Sequence, residues 1–377
     1  MLFSEILGLD HIKKHLTTSI DSGRIPHAQL FVGKNGSGTL PTAIAYARYL
    51  LCNDSDRKEA CNLAFNKLAH PDLHFTYPVA NNDKVKKNAA AEDFTAEWRE
   101  FALSFPYGSV FDWYQTLGIE NKQGNISVRD AQNILKTLSL KSYEGGYKVM
   151  IIWEADKLNT SASNKLLKLI EEPPEKTIFI LVTENEEQIL QTIRSRCQAL
   201  HFPPLGESVI AKALEEKGVA SAEAIKIAHK SDGSYTLALH MLEHHESEDL
   251  FESWFITWVR SAFRAKGNKA AIKDILQWSE DIAATGRETQ KKFLHYCLDF
   301  FRQALLYNYN SQSLVYLEPE TPGFELKKFA PFIHSNNILQ ITEEVEKAIY
   351  HIERNVNSKI TLADLSIKLT RLLHQKE

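Results

Sequence analysis

Three glycines, Gly33, Gly36 and Gly38, lie in the stretch LFVGKNGSGTLPTA from Leu30 to Ala43, after apolar residues and before a run of helix formers. In that order a strand turns through a glycine loop into a helix whose first backbone N–H groups can cradle a phosphate. Hydrolysis of a nucleotide demands more. A Lys and then a Ser or Thr must follow the last glycine, to reach the outer phosphates and hold magnesium. Thr39 and Leu40 stand there instead. Further on, KVMIIWEADKL ends an apolar run in Trp153 and Glu154, where an Asp-Glu pair would support the metal and polarise the attacking water. Indole has one donor and no anionic oxygen. In SDGSYTLALHML, Thr236 occupies the place from which a helix-borne Arg would meet the outermost phosphate. The cradle is kept, while the cation, its ligands and the charge clamp are lost at Thr39, Leu40, Trp153 and Thr236. The expectation is a chain with no cofactor and no hydrolysis of its own. The alternative is an active ATPase in which Lys34 bends back into the loop, although magnesium would still lack ligands.

Other residues carry weaker signals. Ser195, Arg196 and Cys197 form a short polar motif, with Arg194 just before it. Taken alone, these arginines read as helix-capping or ion-pairing groups. GNISVRDAQNIL places Ser127 as a helix cap with Asp130 three residues later, which makes Ser127 and Arg129 candidates for contact with a DNA phosphate. The four cysteines, Cys52, Cys61, Cys197 and Cys297, are too few and scattered for a disulfide framework, and reduced thiols are expected.

The elements that would position these groups follow from periodicity. Apolar, β-prone runs at Leu30 to Val32, Leu73 to Pro78, Lys148 to Trp153 and Thr177 to Thr183 alternate with helical spacing, and QALHFPPL adds a shorter strand. The pattern predicts a mostly parallel sheet covered by helices, with the glycine loop at a strand's carboxyl end. Between about residues 81 and 125 it breaks into a polar, alanine-rich stretch and then an aromatic, turn-rich one, read as an insertion. After about Leu205 the strand signals disappear. The domains expected are α/β over 1–205, a small helical domain over 206–245 and a larger helical domain over 246–377. In the last, Phe251, Trp254, Phe255, Trp258 and Val259 share one helix face, and Phe293, Cys297, Phe300, Phe301, Ala304 and Leu305 another. Their aromatic density suggests that they serve assembly as well as a core.

Composition sets the outer bounds. A chain of 377 residues with a formal charge of −4 does not coat nucleic acid by bulk charge, so any DNA contact must be local. No stretch of about 18 apolar residues occurs, and the reading is of a soluble, cytoplasmic protein without membrane contact.

Over nearly its whole length the chain resembles the delta prime subunits of the bacterial DNA polymerase III clamp loader. LGLDHIKKHL, GRIPHAQLFVG, SASNKLLKLIEEPPEKTIFILVTENEEQILQTIRSRCQ and IERNVNSKITLADLSIKL carry the likeness. The resemblance implies an AAA+ α/β module, a three-helix lid and an all-α collar. It implies partnership with the motor and delta subunits in a hetero-pentamer that opens the sliding clamp on primed DNA. It also implies that Arg196, with Ser195 and Cys197 around it, is lent to ATP held by a neighbouring subunit. Many members carry a four-cysteine zinc module before His-Pro-Asp. Here Cys52, Cys61 and HPD at His70 to Asp72 remain, but Ala64 and Lys67 replace the last two ligands, so no metal is expected even with His70 and His74 nearby. A regulatory scaffold that reuses the fold outside replication is the remaining alternative.

Overall fold

The structure is a computed structural model describing the chain except residues 54–56, 121, 144, 244, 266–267, 310–314, 316–318, 320 and 376–377. It divides into two compact units, Met1–His240 and Met241–Glu377.

The first unit is built on five parallel strands: β1 (Ala28–Val32), β2 (Leu73–Thr76), β3 (Lys148–Trp153), β4 (Thr177–Thr183) and β5 (Gln198–His201). Their order is β2-β3-β4-β1-β5. The three central strands are almost entirely buried, which explains why their sequences read as unbroken apolar runs rather than alternating ones. Helices α1 (Asp10–Asp21), α2 (Thr39–Cys52) and α3 (Lys58–Phe65) come first, followed by α4 (Thr95–Ser104), α5 (Val110–Leu117), α6 (Val128–Ser139), α7 (Thr160–Glu171) and the short α8 (Gln191–Arg194). One face of the sheet, through Leu30, Met150, Ile152, Phe179 and Leu181, packs on Ile134, Leu138, Leu166 and Ile170 of α6 and α7. Strand alternation turns Phe31 to the other face, where it meets Tyr46 of α2. This is the parallel α/β arrangement that the apolar runs predict. Helices α9 (Glu207–Glu216), α10 (Ser221–Lys230) and α11 (Tyr235–Glu243) follow β5, and the boundary between the units falls inside α11.

The 81–125 segment does not loop out. Phe94, Trp98, Phe101 and Trp113 are fully or almost fully buried, and Trp98 stacks on Tyr77 at 4.1 Å between ring centroids. Its polar start and aromatic end are the sequence trace of a surface turn leading into two core-forming helices.

The second unit is all-helical: α12 (His245–Arg264), α13 (Lys269–Ala283), α14 (Arg287–Asn308), α15 (Leu326–Phe329), α16 (Ile338–Glu353) and α17 (Ser358–Leu372). Here one sequence expectation needs correcting. The aromatic stripes are interior, not an assembly surface: Phe255, Trp258, Phe293, Phe300 and Phe301 are at most 1 % exposed, and Phe251 and Trp254 pack against them. Trp258 stacks on Trp278 at 5.0 Å, and its indole N–H donates to Ser366 Oγ at 2.8 Å. Long helices crossing over one another bury more side-chain volume than the spacing of each stripe suggests.

The cysteines need a second correction. Cys52 ends α2 and Cys61 lies in α3, and the packing of these helices brings their Cα atoms to 5.6 Å, joined as a disulfide. At that separation a disulfide spans the pair without backbone movement. Lys67 is exposed, and His70 is buried with Nδ1 accepting from the Asp72 backbone N–H at 3.1 Å. Among the described residues no group of three or more His, Cys, Asp or Glu side chains could hold a metal. No helix among them is long and apolar enough to cross a membrane.

Candidate functional site

The glycine loop joins β1 to α2 as its sequence predicts. Gly36 and Gly38 have φ of +78° and +92°, the left-handed region where a side chain is strained. Space is also lacking at Gly36, where a Cβ would stand 2.7 Å from the backbone nitrogens of Tyr235 and Thr236. The Tyr235 N–H donates to Gly36 O at 3.2 Å, so the loop is tied to the start of α11.

What fills the cradle is the chain itself. Pro106, Tyr107 and Gly108, between α4 and α5, lie over the loop. The Tyr107 ring sits 3.3 Å from where a Gly38 Cβ would be, and meets Tyr235 edge-on at 5.1 Å. Its hydroxyl accepts from the Leu7 backbone N–H at 2.8 Å, and its carbonyl accepts from Thr236 Oγ1. Burial pushes the phenol up to about 12. The space left at the loop is about 10 Å³, roughly that of one water.

Leu40, Trp153 and Thr236 contribute to this closure, while Thr39 is only half-buried. Leu40 is buried. Trp153 is 3 % exposed, with its ring 5.2 Å from Trp98 and 5.7 Å from Phe101, so the indole anchors α4 where a carboxylate would face a metal. Thr236 is buried and holds the Tyr107 carbonyl. Lys34 does not bend inward: its side chain is 76 % exposed, with Nζ 3.9 Å from Asp232. On the far side of the segment, His240 Nε2 of α11 pairs with Asp112 of α5 at 2.8 Å.

Glu154 remains as a buried carboxyl at the cleft. Burial, reinforced by Asp156 and Glu184, raises it well above the ordinary carboxylate range. A carboxyl that keeps its proton longer when folded makes the folded state bind more protons than the unfolded one. Stability then falls as pH rises from the ordinary glutamate range until the folded group titrates. Glu154→Gln should therefore raise the thermal midpoint at neutral pH, with the gain vanishing below about pH 4. A variant less stable than the parent at neutral pH would show that the carboxylate is needed.

Arg196 lies elsewhere. β5 pairs with β1 in the register Gln29 to Gln198 and Val32 to His201, so Arg196 precedes the start of β5 while the glycine loop follows the end of β1. At roughly 3.3 Å per residue the strand length separates them, and Arg196 is at the opposite end of the sheet from its own cleft. Its guanidinium donates to Thr192 O at 2.8 Å and pairs with Glu171 at 3.0 Å, with the side chains 34 % and 53 % exposed. Ser195 is exposed and donates to the same carbonyl at 3.3 Å. Arg194 is half-buried at the end of α8. Burial pushes the Cys197 thiol up to about 11, leaving little thiolate for reaction.

Ser127 caps α6 as expected, in a box closed by Asp130: its backbone N–H donates to Asp130 Oδ2 at 2.8 Å. Arg129 donates to Asn88 O at 2.6 Å and pairs with Glu92 at 2.7 Å and Asp93 at 3.0 Å. The sequence missed these partners because they lie some 36 residues away, within the 81–125 segment. A DNA phosphate would have to displace two carboxylates from Arg129. Tyr107 was missed for the same reason, although the aromatic run around it, in a chain with Trp153 at the end of β3, is the trace that could have found it.

Comparison with known proteins places this geometry. Residues 8–206 match the family model described as "DNA polymerase III, delta subunit". The DNA polymerase III subunit delta' of Bacillus subtilis is 29 % identical over 225 residues, covering 59 % of this chain and 55 % of that protein. The tau subunit of the same organism is 27 % identical over 323 residues, covering 81 % and 50 %. The chain spans a third to about half of the curated relatives it matches first, a third in the case of the gamma/tau subunit of Mycobacterium bovis. A gamma subunit-related protein of Thermotoga maritima is similar in structure with a TM-score of 0.41 and 15 % identity, covering 96 % of this chain and 99 % of that one.

Proposed function

Since the chain belongs to the DNA polymerase III delta-subunit family of clamp-loader AAA+ proteins, we propose that it is the delta prime-type subunit, assembled with motor and delta subunits and without ATPase activity of its own. One observation carries the reading: Tyr107 and its neighbours occupy the glycine cradle in which a motor subunit would hold phosphate. Similarity alone does not make that choice, because gamma, tau and delta' relatives match at comparable identity. A motor needs an open cleft, a phosphate-binding lysine and magnesium ligands; the crowding at Tyr107, with Thr39, Leu40 and Trp153 at the motif positions, supports the other reading.

The site that remains for ATP chemistry is Arg196, offered from the opposite end of the sheet to a nucleotide bound by a neighbour. In this reading the helices of α9–α11 form the lid, those from α12 onward the collar, and the protein works in the cytoplasm on primed DNA. The disulfide between Cys52 and Cys61 ties α2 to α3.

The decisive experiment has two arms. The isolated chain should neither bind Mg-ATP nor hydrolyse it, and the same preparation, mixed with the motor and delta subunits of its own organism, should complete a complex that loads the clamp. Magnesium-dependent turnover that survives repurification would make it a motor. Absence of turnover together with failure to enter that complex would favour a scaffold outside replication.

A further inference from the structure

β2 lies at the edge of the sheet, with β3 as its neighbour. Its register, Leu73 to Val149 and Phe75 to Ile151, together with the Val149 N–H donating to Asp72 O at 2.9 Å, fixes which peptide groups face inward. Residues 72, 74 and 76 turn theirs towards β3, so Leu73 and Phe75 turn their N–H and C=O groups to the open side. The Leu73 N–H donates back to His70 O at 3.1 Å. That leaves Leu73 O and both backbone groups of Phe75 without a protein partner among the described residues.

A groove of about 200 Å³ lies against this edge from Leu73 to Tyr77, walled by α4 and α6. Its walls come from opposite faces of the sheet. His74 pairs with Met150, which packs with Ile134 of α6, while the half-buried Phe75 ring meets Trp98 of α4 at 5.8 Å. The groove is thus centred on the strand edge, with a helix on each side. Pro71 and Pro78 bracket β2 and keep the pairing segment short. The two ends also differ in charge. α6 runs against β2: Lys148, which opens β3, donates to Leu138 O near the end of α6, whereas Asp130 in its first turn accepts from the Ala91 N–H, beside Tyr77. At the Leu73 end the exposed Arg99 donates through Nε to Leu68 O at 3.0 Å, and no carboxylate pairs with it among the described residues. Towards the Tyr77 end Glu92 and Asp93 share the single Arg129, so that end is net negative.

We propose that β2 accepts an extended peptide segment of another protein as an added antiparallel strand, with a basic residue near the segment's N-terminus and an acidic one near its C-terminus. Backbone groups supply the affinity, since the N–H and C=O of Phe75 meet a complementary pair on a strand about 4.8 Å away. Charge supplies the direction. An antiparallel segment begins beside Glu92 and Asp93 and ends beside Arg99, and antiparallel pairing is also the more stable per residue. An open strand edge is a template for pairing with any chain, and the helices on either side restrict this one to a partner slender enough to enter between them. The inference rests on this edge and is independent of how the glycine cleft is read.

The test uses the full chain with three end-capped peptides: Lys-Thr-Val-Thr-Val-Glu, a form with its two charged residues exchanged, and a form N-methylated at both central residues. The last keeps every side chain and removes whichever central N–H would reach Phe75 O. Binding is read by NMR of the labelled protein and by hydrogen exchange at the Phe75 amide. The first peptide should bind and slow that exchange. N-methylation should weaken binding by roughly tenfold or more, as for one lost hydrogen bond, and exchanging the charges should also weaken it. Arg99→Glu, at an exposed helix position, should reverse the preference between the two charge patterns while the circular dichroism of the chain stays unchanged. No protection of Phe75 at millimolar peptide, equal binding of the N-methylated form, or equal binding of the two charge patterns would overturn the proposal. Protection of Phe75 that rises with protein concentration in the absence of peptide would overturn it too, by giving the edge to a second copy of the chain.

Discussion

Replacing Arg196 with alanine is expected to leave the chain folded and assembled while sharply lowering the clamp- and DNA-stimulated ATPase at the one interface it serves. Stability should hardly change, because the pair with Glu171 is half-exposed and such pairs contribute roughly 0 to 1 kcal/mol. The same small value lets the guanidinium leave Glu171 for a neighbour's phosphate at little cost. At that phosphate an arginine supplied in trans is worth about 10³ to 10⁵ in rate in the best-studied cases. Arg196→Lys should rescue poorly, since an ammonium has no planar fork to span two oxygens. Glu171→Gln is the control: it releases Arg196 without removing it and should leave turnover intact. Full ATPase and clamp loading by an assembled Arg196→Ala complex would assign the residue to its ion pair alone.

Tyr107→Ala should have the largest effect on the isolated protein. The substitution empties a buried aromatic position, for which losses of about 3 to 5 kcal/mol are typical, and strands the Leu7 N–H that the hydroxyl accepts. Three elements meet at this ring: the chain before α1, the glycine loop and the start of α11. Hydrogen exchange should therefore quicken at all three and leave the second unit unchanged. Tyr107→Phe separates the contributions, since it keeps the ring and loses only the hydroxyl, at a cost of roughly 1 kcal/mol. Neither variant should gain Mg-ATP binding, because opening the cradle restores neither the lysine nor the magnesium ligands lost at Thr39, Leu40 and Trp153. Tight Mg-ATP binding by Tyr107→Ala would mean that the segment blocks a competent site, and that this chain is a gated motor.

Local features were legible in the sequence because they depend on residues close together in the chain. The parallel strands showed as short apolar runs, the loop as glycines of which Gly36 and Gly38 take positive φ, and the α6 cap as Ser127 with Asp130. The offset of Arg196 from its own cleft also followed once the strands were parallel. The groups that depend on long-range packing were not legible. Tyr107 reaches Leu7 across 100 residues and Thr236 across 129, and no spacing rule relates such positions. The aromatic stripes of the second unit carried the right helical period. A period says which side chains share a face, and only the crossing helices decide whether that face looks inward. Cys52 and Cys61 read as unpaired remnants until the packing of α2 on α3 brought them together. The sequence by itself determined which residues stand at the motif positions of a nucleotide site, because the identity of Thr39, Leu40 or Trp153 is a fact of the chain at a given position. Tertiary structure alone decided what packs around them: filling a cleft is a matter of volume and contact among distant segments, and those exist only once the chain has folded.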